Sequence, residues 1–240
     1  MVEREVVASR EKARSLILAG EVLVNNVPVT KAGTLVKSDS DIRLKNELQK
    51  YVSRGGDKLE GVLNELSLDV DGLVCIDVGS STGGFTDCLL QNGAKKVYCV
   101  DVGTNQLDHK IRVDPRVEVF EKTHARELVN LTLTPVPQFA VIDVSFIGLE
   151  KILPYVVSIL GNGSKILMLV KPQFELGPEL ISKGGVPAAG VDPYLAVRNL
   201  KIKLQDLKLR ELGETVCVIK GKKSENQEYF LFVEVQGRNG

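Results

Sequence analysis

Residues 73–84, Leu73-Val74-Cys75-Ile76-Asp77-Val78-Gly79-Ser80-Ser81-Thr82-Gly83-Gly84, read as a strand that runs into a glycine-rich turn. The apolar run Leu73–Ile76 closed by Asp77 has the pattern of a strand buried on both faces. The residues after the turn continue as a helix through Leu90, and Gly93 stops it. Such a strand, turn and helix hold a ligand at the carboxyl ends of parallel strands, where glycines admit close approach to the backbone.

Outward from this unit the rhythm repeats. Lys96–Asp101, Val117–Phe120, Phe139–Val144 and Lys165–Lys171 are further strands, separated by segments of helix length. That alternation predicts βαβ units, a mainly parallel sheet and helices on both faces. Near the C-terminus the pattern changes. Glu211–Ile219 and Tyr229–Val235 are joined by a polar loop too short for a crossover helix, so they are expected to pair antiparallel at the sheet edge.

Residues 1–47 read as a small α+β unit. Ser9 caps a predicted helix, Arg10–Ala19, which Gly20 closes. Ala13, Leu16 and Ile17 share one face of it, and Arg10 and Arg14 share another. A hairpin follows, Val22-Leu23-Val24, the turn Asn25-Asn26, and Val27-Pro28-Val29, with Asp41–Leu44 as a further strand. Residues 48–54 are read as a linker, Gly55-Gly56 as a hinge, and 55–240 as the second domain.

The 240 residues suffice for one full α/β domain and a small module. No apolar run is long enough to span a bilayer, and the polar start Met1-Val2-Glu3-Arg4-Glu5 is no signal peptide, which predicts a cytoplasmic protein. Cys75, Cys88, Cys99 and Cys217 are scattered with no C-x-x-C pair, so reduced core residues are expected, not a metal site. Lys plus Arg equals Asp plus Glu. Any nucleic-acid surface must therefore come from uneven placement of charge.

The turn has the spacing Gly79-x-x-x-Gly83-Gly84, which is not the dinucleotide G-x-G-x-x-G. Asp77 beside it would repel a pyrophosphate, whereas S-adenosylmethionine carries no phosphate and has an ammonium and a cationic sulfur. Asp101 ends the next strand, 22 residues after Gly79, where an acid accepts hydrogen bonds from ribose hydroxyls. The candidates for holding this cofactor are Asp77, Gly79, Ser81, Gly83, Gly84, Phe85 and Asp101.

Two more strands end in polar residues, Asp143 and Lys171, which a parallel sheet brings to the same edge. Burial at the end of so apolar a strand is expected to lower the Lys171 pKa. Lys58 and Glu228 complete a polar set.

Together these segments resemble the TlyA, or hemolysin A, family, in which an S4-type RNA-binding domain precedes an FtsJ-like methyltransferase. The matching stretches are Ser9–Asn25, Tyr51–Leu59, Asp77–Thr86, Asp114–Val117, Ile142–Ile147, Lys171–Glu175 and Asn226–Phe230. The resemblance implies a Rossmann-like methyltransferase with a mainly parallel seven-stranded sheet, a C-terminal antiparallel hairpin and an α+β S4-like domain in front. It also implies methylation of a ribose 2′-hydroxyl in ribosomal RNA, with cytidine the favoured base. Its catalytic Lys-Asp-Lys-Glu tetrad maps to Lys58, Asp143, Lys171 and Glu228, with Lys171 as the proton acceptor. No metal or membrane partner is implied. Arg10, Lys12, Arg14 and Arg54 are the expected RNA contacts.

Against the family pattern, the first S4 helix reads as shortened, and His109 and His124 stand where Trp and Asn are common. The alternatives are a non-catalytic RNA- or ribosome-binding factor and a membrane-lytic protein. The intact polar set speaks against the first and the lack of a spanning or amphipathic pore segment against the second.

Overall fold

The computed structural model describes residues 1–4, 6–7, 9–25, 27–37, 40–44, 50–219 and 226–237. Asn26 of the predicted turn, Leu48 and Gln49 of the predicted linker, and the middle of the C-terminal polar loop lie outside them. The chain divides into two units, Met1–Lys50 and Tyr51–Gly240.

In the first unit, α1 (Arg10–Leu18) starts where the Ser9 hydroxyl accepts the Lys12 amide at 3.2 Å. The strands β1 (Val22–Val24), β2 (Val27–Val29) and β3 (Ile42–Leu44) form an antiparallel sheet with β1 in the middle. Val7, Val22 and Leu44 make its small core, and Ala13, Leu16 and Ile17 of α1 pack on it, as their helical spacing requires.

The second unit opens with α2 (Arg54–Glu65), β4 (Val74–Val78), α3 (Gly84–Gln91), β5 (Lys96–Val100), α4 (His109–Arg112) and β6 (Val117–Phe120). It continues through β7 (Phe139–Ile142), α5 (Leu153–Ser158), β8 (Lys165–Val170), α6 (Pro172–Glu175), α7 (Leu195–Leu204), β9 (Leu209–Val216) and β10 (Tyr229–Val235). The sheet order is β6-β5-β4-β7-β8-β10-β9. The pairings from β6 through β8 are parallel, while β10 runs antiparallel to both β8 and β9. The C-terminal hairpin thus forms as expected, with its later strand inside and its earlier strand at the edge.

Period-two alternation sorts the strands into two cores. Val74, Ile76 and Val78 face the layer with Val156 of α5 and Leu200 of α7. Cys75 faces the opposite layer with Leu59 of α2 and Leu89 of α3. Asp77, in phase with Cys75, therefore points toward α3. All four cysteines are free thiols in the interior.

Residues 51–56, from the expected linker and hinge, belong to the second unit. Tyr51 is 2% exposed and belongs to the core of the second unit, and Gly55 and Gly56 lie inside α2. These glycines serve close packing. A Cβ on Gly56 would sit 2.2 Å from Cγ of Tyr51, and one on Gly84 would sit 2.9 Å from the Gly56 nitrogen. The buried Asp87 carboxylate of α3 adds a fastening by accepting the Val52 amide at 2.9 Å.

Candidate active site

The glycine turn sits on the carboxyl edge of the sheet, between β4 and α3. Gly79 has φ of 90°, and a Cβ there would lie 2.4 Å from the Asp143 carbonyl oxygen. Only glycine admits that conformation and that approach together. The Gly79 amide bonds the Val100 carbonyl at 2.8 Å, so the turn is sewn to the end of β5 as well. Gly83, with φ of 91°, caps α3, and a Cβ on it would meet Leu107 at 2.8 Å.

Asp101, just past β5, accepts the Ser81 amide at 2.8 Å on Oδ2 and the Gly103 amide at 2.7 Å on Oδ1. A carboxylate has about four lone-pair sites, so both oxygens keep capacity for a ligand hydroxyl. Asp77 lies beneath the turn, fully buried. Its Oδ2 accepts the Thr86 hydroxyl at 2.7 Å, and its Oδ1 has no partner among the described residues. Burial pushes its pKa up to about 7, against the hydrogen bond from Thr86. Half-neutral near pH 7, it is a weaker electrostatic selector for a cation than its place in the sequence implies. Phe85 is buried in the α2–α3 core, its ring 6.3 Å from that of Phe230.

Lys58, Asp143, Lys171 and Glu228 form two ion pairs. Lys58 Nζ lies 2.5 Å from Glu228 Oε2, with both side chains nearly buried. Lys171 Nζ lies 2.5 Å from Asp143 Oδ1 and donates to the Val144 carbonyl at 3.0 Å and the Ser145 hydroxyl at 3.2 Å. The backbone explains why they meet. Tyr229 pairs with Val170, so one further step of the antiparallel register sets Glu228 opposite Lys171. The Asp143 amide bonds the Val78 carbonyl at 3.0 Å, which ties the second pair to the turn. Burial opposes charging Lys58, but the hydrogen bond and charge of Glu228, with Asp143 behind it, raise its pKa above the ordinary lysine value.

Several residues that shape this edge have no signal in local sequence. Thr86 satisfies Asp77, and Ser145 positions Lys171. Glu175 holds the Leu149 amide at 2.9 Å, bracing the loop that follows Asp143. Burial pushes the Glu175 pKa up to about 7, with the Leu149 amide opposing and Glu150 adding to the rise. His109 opens α4 and His124 precedes a short 3-10 turn; both are exposed.

In the first unit Arg10, Lys12 and Arg14 are exposed on α1, and Arg10, Arg14 and Lys31 border a groove of about 500 Å³. Arg54 is exposed at the start of α2, in the second unit. Among the described residues no helix is long and apolar enough to cross a membrane, and no cluster of His, Cys, Asp or Glu forms a metal site.

Residues 51–234 match the FtsJ-like methyltransferase family, and residues 1–42 match the S4 domain. The chain belongs to the FtsJ-like methyltransferase family. Hemolysin A of Brachyspira hyodysenteriae is 42% identical to this methyltransferase over 222 residues, 92% of either chain. The 16S/23S rRNA (cytidine-2'-O)-methyltransferase TlyA of Mycobacterium tuberculosis is 38% identical over 240 residues, 98% of this chain and 88% of that one. A solved structure from Streptococcus thermophilus, labelled a hemolysin, superposes with a TM-score of 0.76 at 40% identity, covering 96% of this chain and 84% of its own. The seven-stranded, mostly parallel sheet with its antiparallel penultimate strand is the Rossmann-like arrangement that the family resemblance implies.

Proposed function

We propose that this chain transfers a methyl group from S-adenosylmethionine to the 2′-hydroxyl of a cytidine in ribosomal RNA. The observation that carries this reading is the pair of lysine–carboxylate contacts, both at 2.5 Å, on the same sheet edge as the glycine turn. The fit of the donor rests on three features of that turn. Gly79 lets the turn close on the Asp143 backbone with no side chain between them, Asp101 has hydroxyl-accepting capacity, and among the described residues the buried Asp77 Oδ1 lacks a donor. Gly79, Ser81, Gly83, Gly84 and Asp101 would hold the donor, with Asp77 bracing the turn from below and Phe85 seating α3. When bound, S-adenosylmethionine supplies an electrophilic methyl group on a sulfur that leaves as a neutral thioether.

A ribose hydroxyl is a poor nucleophile and must shed its proton as its oxygen bonds the methyl carbon and the carbon–sulfur bond breaks. Lys171 Nζ, in its unprotonated amine form, takes that proton onto its lone pair. Asp143 holds Nζ in place and balances the ammonium formed, while Val144 and Ser145 fix its direction. Lys58, kept charged by Glu228, offers a fixed positive charge where the 2′-oxygen becomes negative. Arg10, Lys12, Arg14 and Arg54 contact RNA phosphates, which position the substrate without reading its sequence. Such a substrate puts the protein in the cytoplasm.

The test is methyl transfer from labelled S-adenosylmethionine to 16S and 23S ribosomal RNA and to isolated subunits, followed by mapping of 2′-O-methyl positions. One or a few cytidines are expected to gain the label. Cofactor binding without incorporation into any of these substrates would overturn the reading in favour of a non-catalytic RNA-binding factor.

A further inference from the structure

Between α6 and α7 the chain makes a small excursion that the proposed reaction does not use. Ile181 and Pro187 form an isolated antiparallel bridge, and the Ser182 amide bonds the Val186 carbonyl at 2.8 Å. The tip of this miniature hairpin is Lys183-Gly184-Gly185, and all three residues are exposed. It is not left loose. The side-chain amide of Asn226, 4% exposed, donates to the Gly185 carbonyl at 2.9 Å across 41 residues of chain.

Asn226 stands two residues before Glu228, whose carboxylate holds Lys58. Two extended residues span at most about 7 Å, so the latch residue and Glu228 are close neighbours along the chain, and the tip is tied to the segment that carries Glu228. The composition of the tip is informative. Gly185 has φ of 72°, which accounts for its being glycine. Gly184 has no such requirement: its φ lies outside the left-handed region, and a Cβ would come no closer than 3.8 Å to any atom. The fold therefore has room for a side chain at Gly184 and does not itself require a bare backbone there. Among the described residues the amides of Lys183 and Gly184 have no hydrogen-bond partner and Lys183 has no ion pair. Consecutive free amides beside a lysine, with no side chain in the way, are an anion-binding arrangement.

We propose that Lys183-Gly184-Gly185 binds a phosphodiester of the RNA next to the target ribose, and that Asn226 is the positioning residue that keeps this clamp in register with Glu228. The clamp rests on the reading of the chain as an RNA methyltransferase and adds where the substrate backbone is gripped. A phosphate held there fixes the sugar relative to Lys171 without contacting any base.

The test measures binding of the full chain to 16S and 23S ribosomal RNA over a range of salt, beside cofactor affinity and melting temperature. Lys183→Ala should weaken RNA binding about three- to tenfold and reduce the slope of log affinity against log salt by about one, the signature of one lost phosphate contact. Gly184→Leu should weaken RNA binding with an unchanged melting temperature and cofactor affinity. Asn226→Ala should reproduce the loss of RNA affinity and, because the tip is released, make a further Lys183→Ala change nearly silent. RNA affinity and salt slope unchanged in Lys183→Ala, or wild-type RNA binding by Gly184→Leu, overturns the clamp. Additive losses in the Asn226/Lys183 double variant overturn the latch. A wild-type protein that binds RNA through Lys183 yet transfers no methyl group overturns the proposed reaction and leaves the clamp standing.

Discussion

Replacing Glu228 by leucine isolates what the buried pair Lys58–Glu228 does for the fold. The Lys58 side chain is 11% exposed and that of Glu228 7%, so the substitution strands an ammonium that water barely reaches. Breaking one half of a buried pair costs about 3–5 kcal/mol. The remaining access to solvent and the nearby Asp143 charge place this case at the lower end, about 3 kcal/mol. For a unit running from Tyr51 to Gly240, each kcal/mol moves the melting temperature by about 2–4 °C, so a fall of about 6–12 °C is expected. Combining Glu228→Leu with Lys58→Met removes both charges and should restore stability to within about 1 kcal/mol of wild type. Methyl transfer stays lost in the single and double variants alike. The pH dependence carries a second signature. In the native protein the Lys58 pKa is raised, so the pair's contribution is complete below the ordinary lysine value and disappears only as pH climbs through the raised one. In Glu228→Leu burial dominates and the folded pKa drops below the unfolded value. The unfolded chain then binds more protons over that interval, and the variant's deficit narrows as pH rises. Urea or thermal unfolding of the four proteins between pH 7 and 10 measures all of this. Additive losses in the double variant, or a deficit that widens with pH, would refute the coupling.

Two shorter expectations follow from the same edge. Lys171→Ala should abolish methyl transfer while leaving the equilibrium affinity for S-adenosylmethionine within about twofold, checked by calorimetry; equal loss of both would mean that Lys171 holds the donor instead of the proton. Asp77, with its pKa raised by burial to about 7, favours folding most below the ordinary carboxylate range and loses that contribution as pH rises toward 7. Asp77→Asn, which cannot ionise, should therefore melt progressively higher relative to wild type as pH goes from 4 to 7, and parallel melting curves would contradict the burial argument.

The sheet was readable because each strand carries its own signal: a buried apolar run with a polar residue at its carboxyl end, as in Ile142-Asp143 and Val170-Lys171. Those terminal residues also pointed to the candidate site, since a parallel sheet collects strand ends at one edge, and Asp143 and Lys171 do meet there. What local pattern could not carry was anything decided by a distant neighbour. Gly55-Gly56 has the composition of a hinge, and only the Tyr51 ring 2.2 Å from an added Cβ shows that it is a packing surface. Asp77 reads as a turn residue with an open carboxylate; strand phase turns it inward to Thr86 and half-neutralises it. The hold of Asn226 on Gly185 spans 41 residues between two unremarkable polar stretches, and no periodicity marks it.

The position of β10 has a consequence for how the protein comes into being. Among the described residues it is the last strand in sequence yet an interior one in the sheet, flanked by β8 and β9. Until it arrives, β9 has no place to dock, and Lys58 waits for a partner 170 residues further on. Contacts of such long sequence separation are the slow ones to close. The turn between β4 and α3 is built from neighbours close in sequence, whereas the Lys58–Glu228 pair closes only when the two ends of the second unit meet.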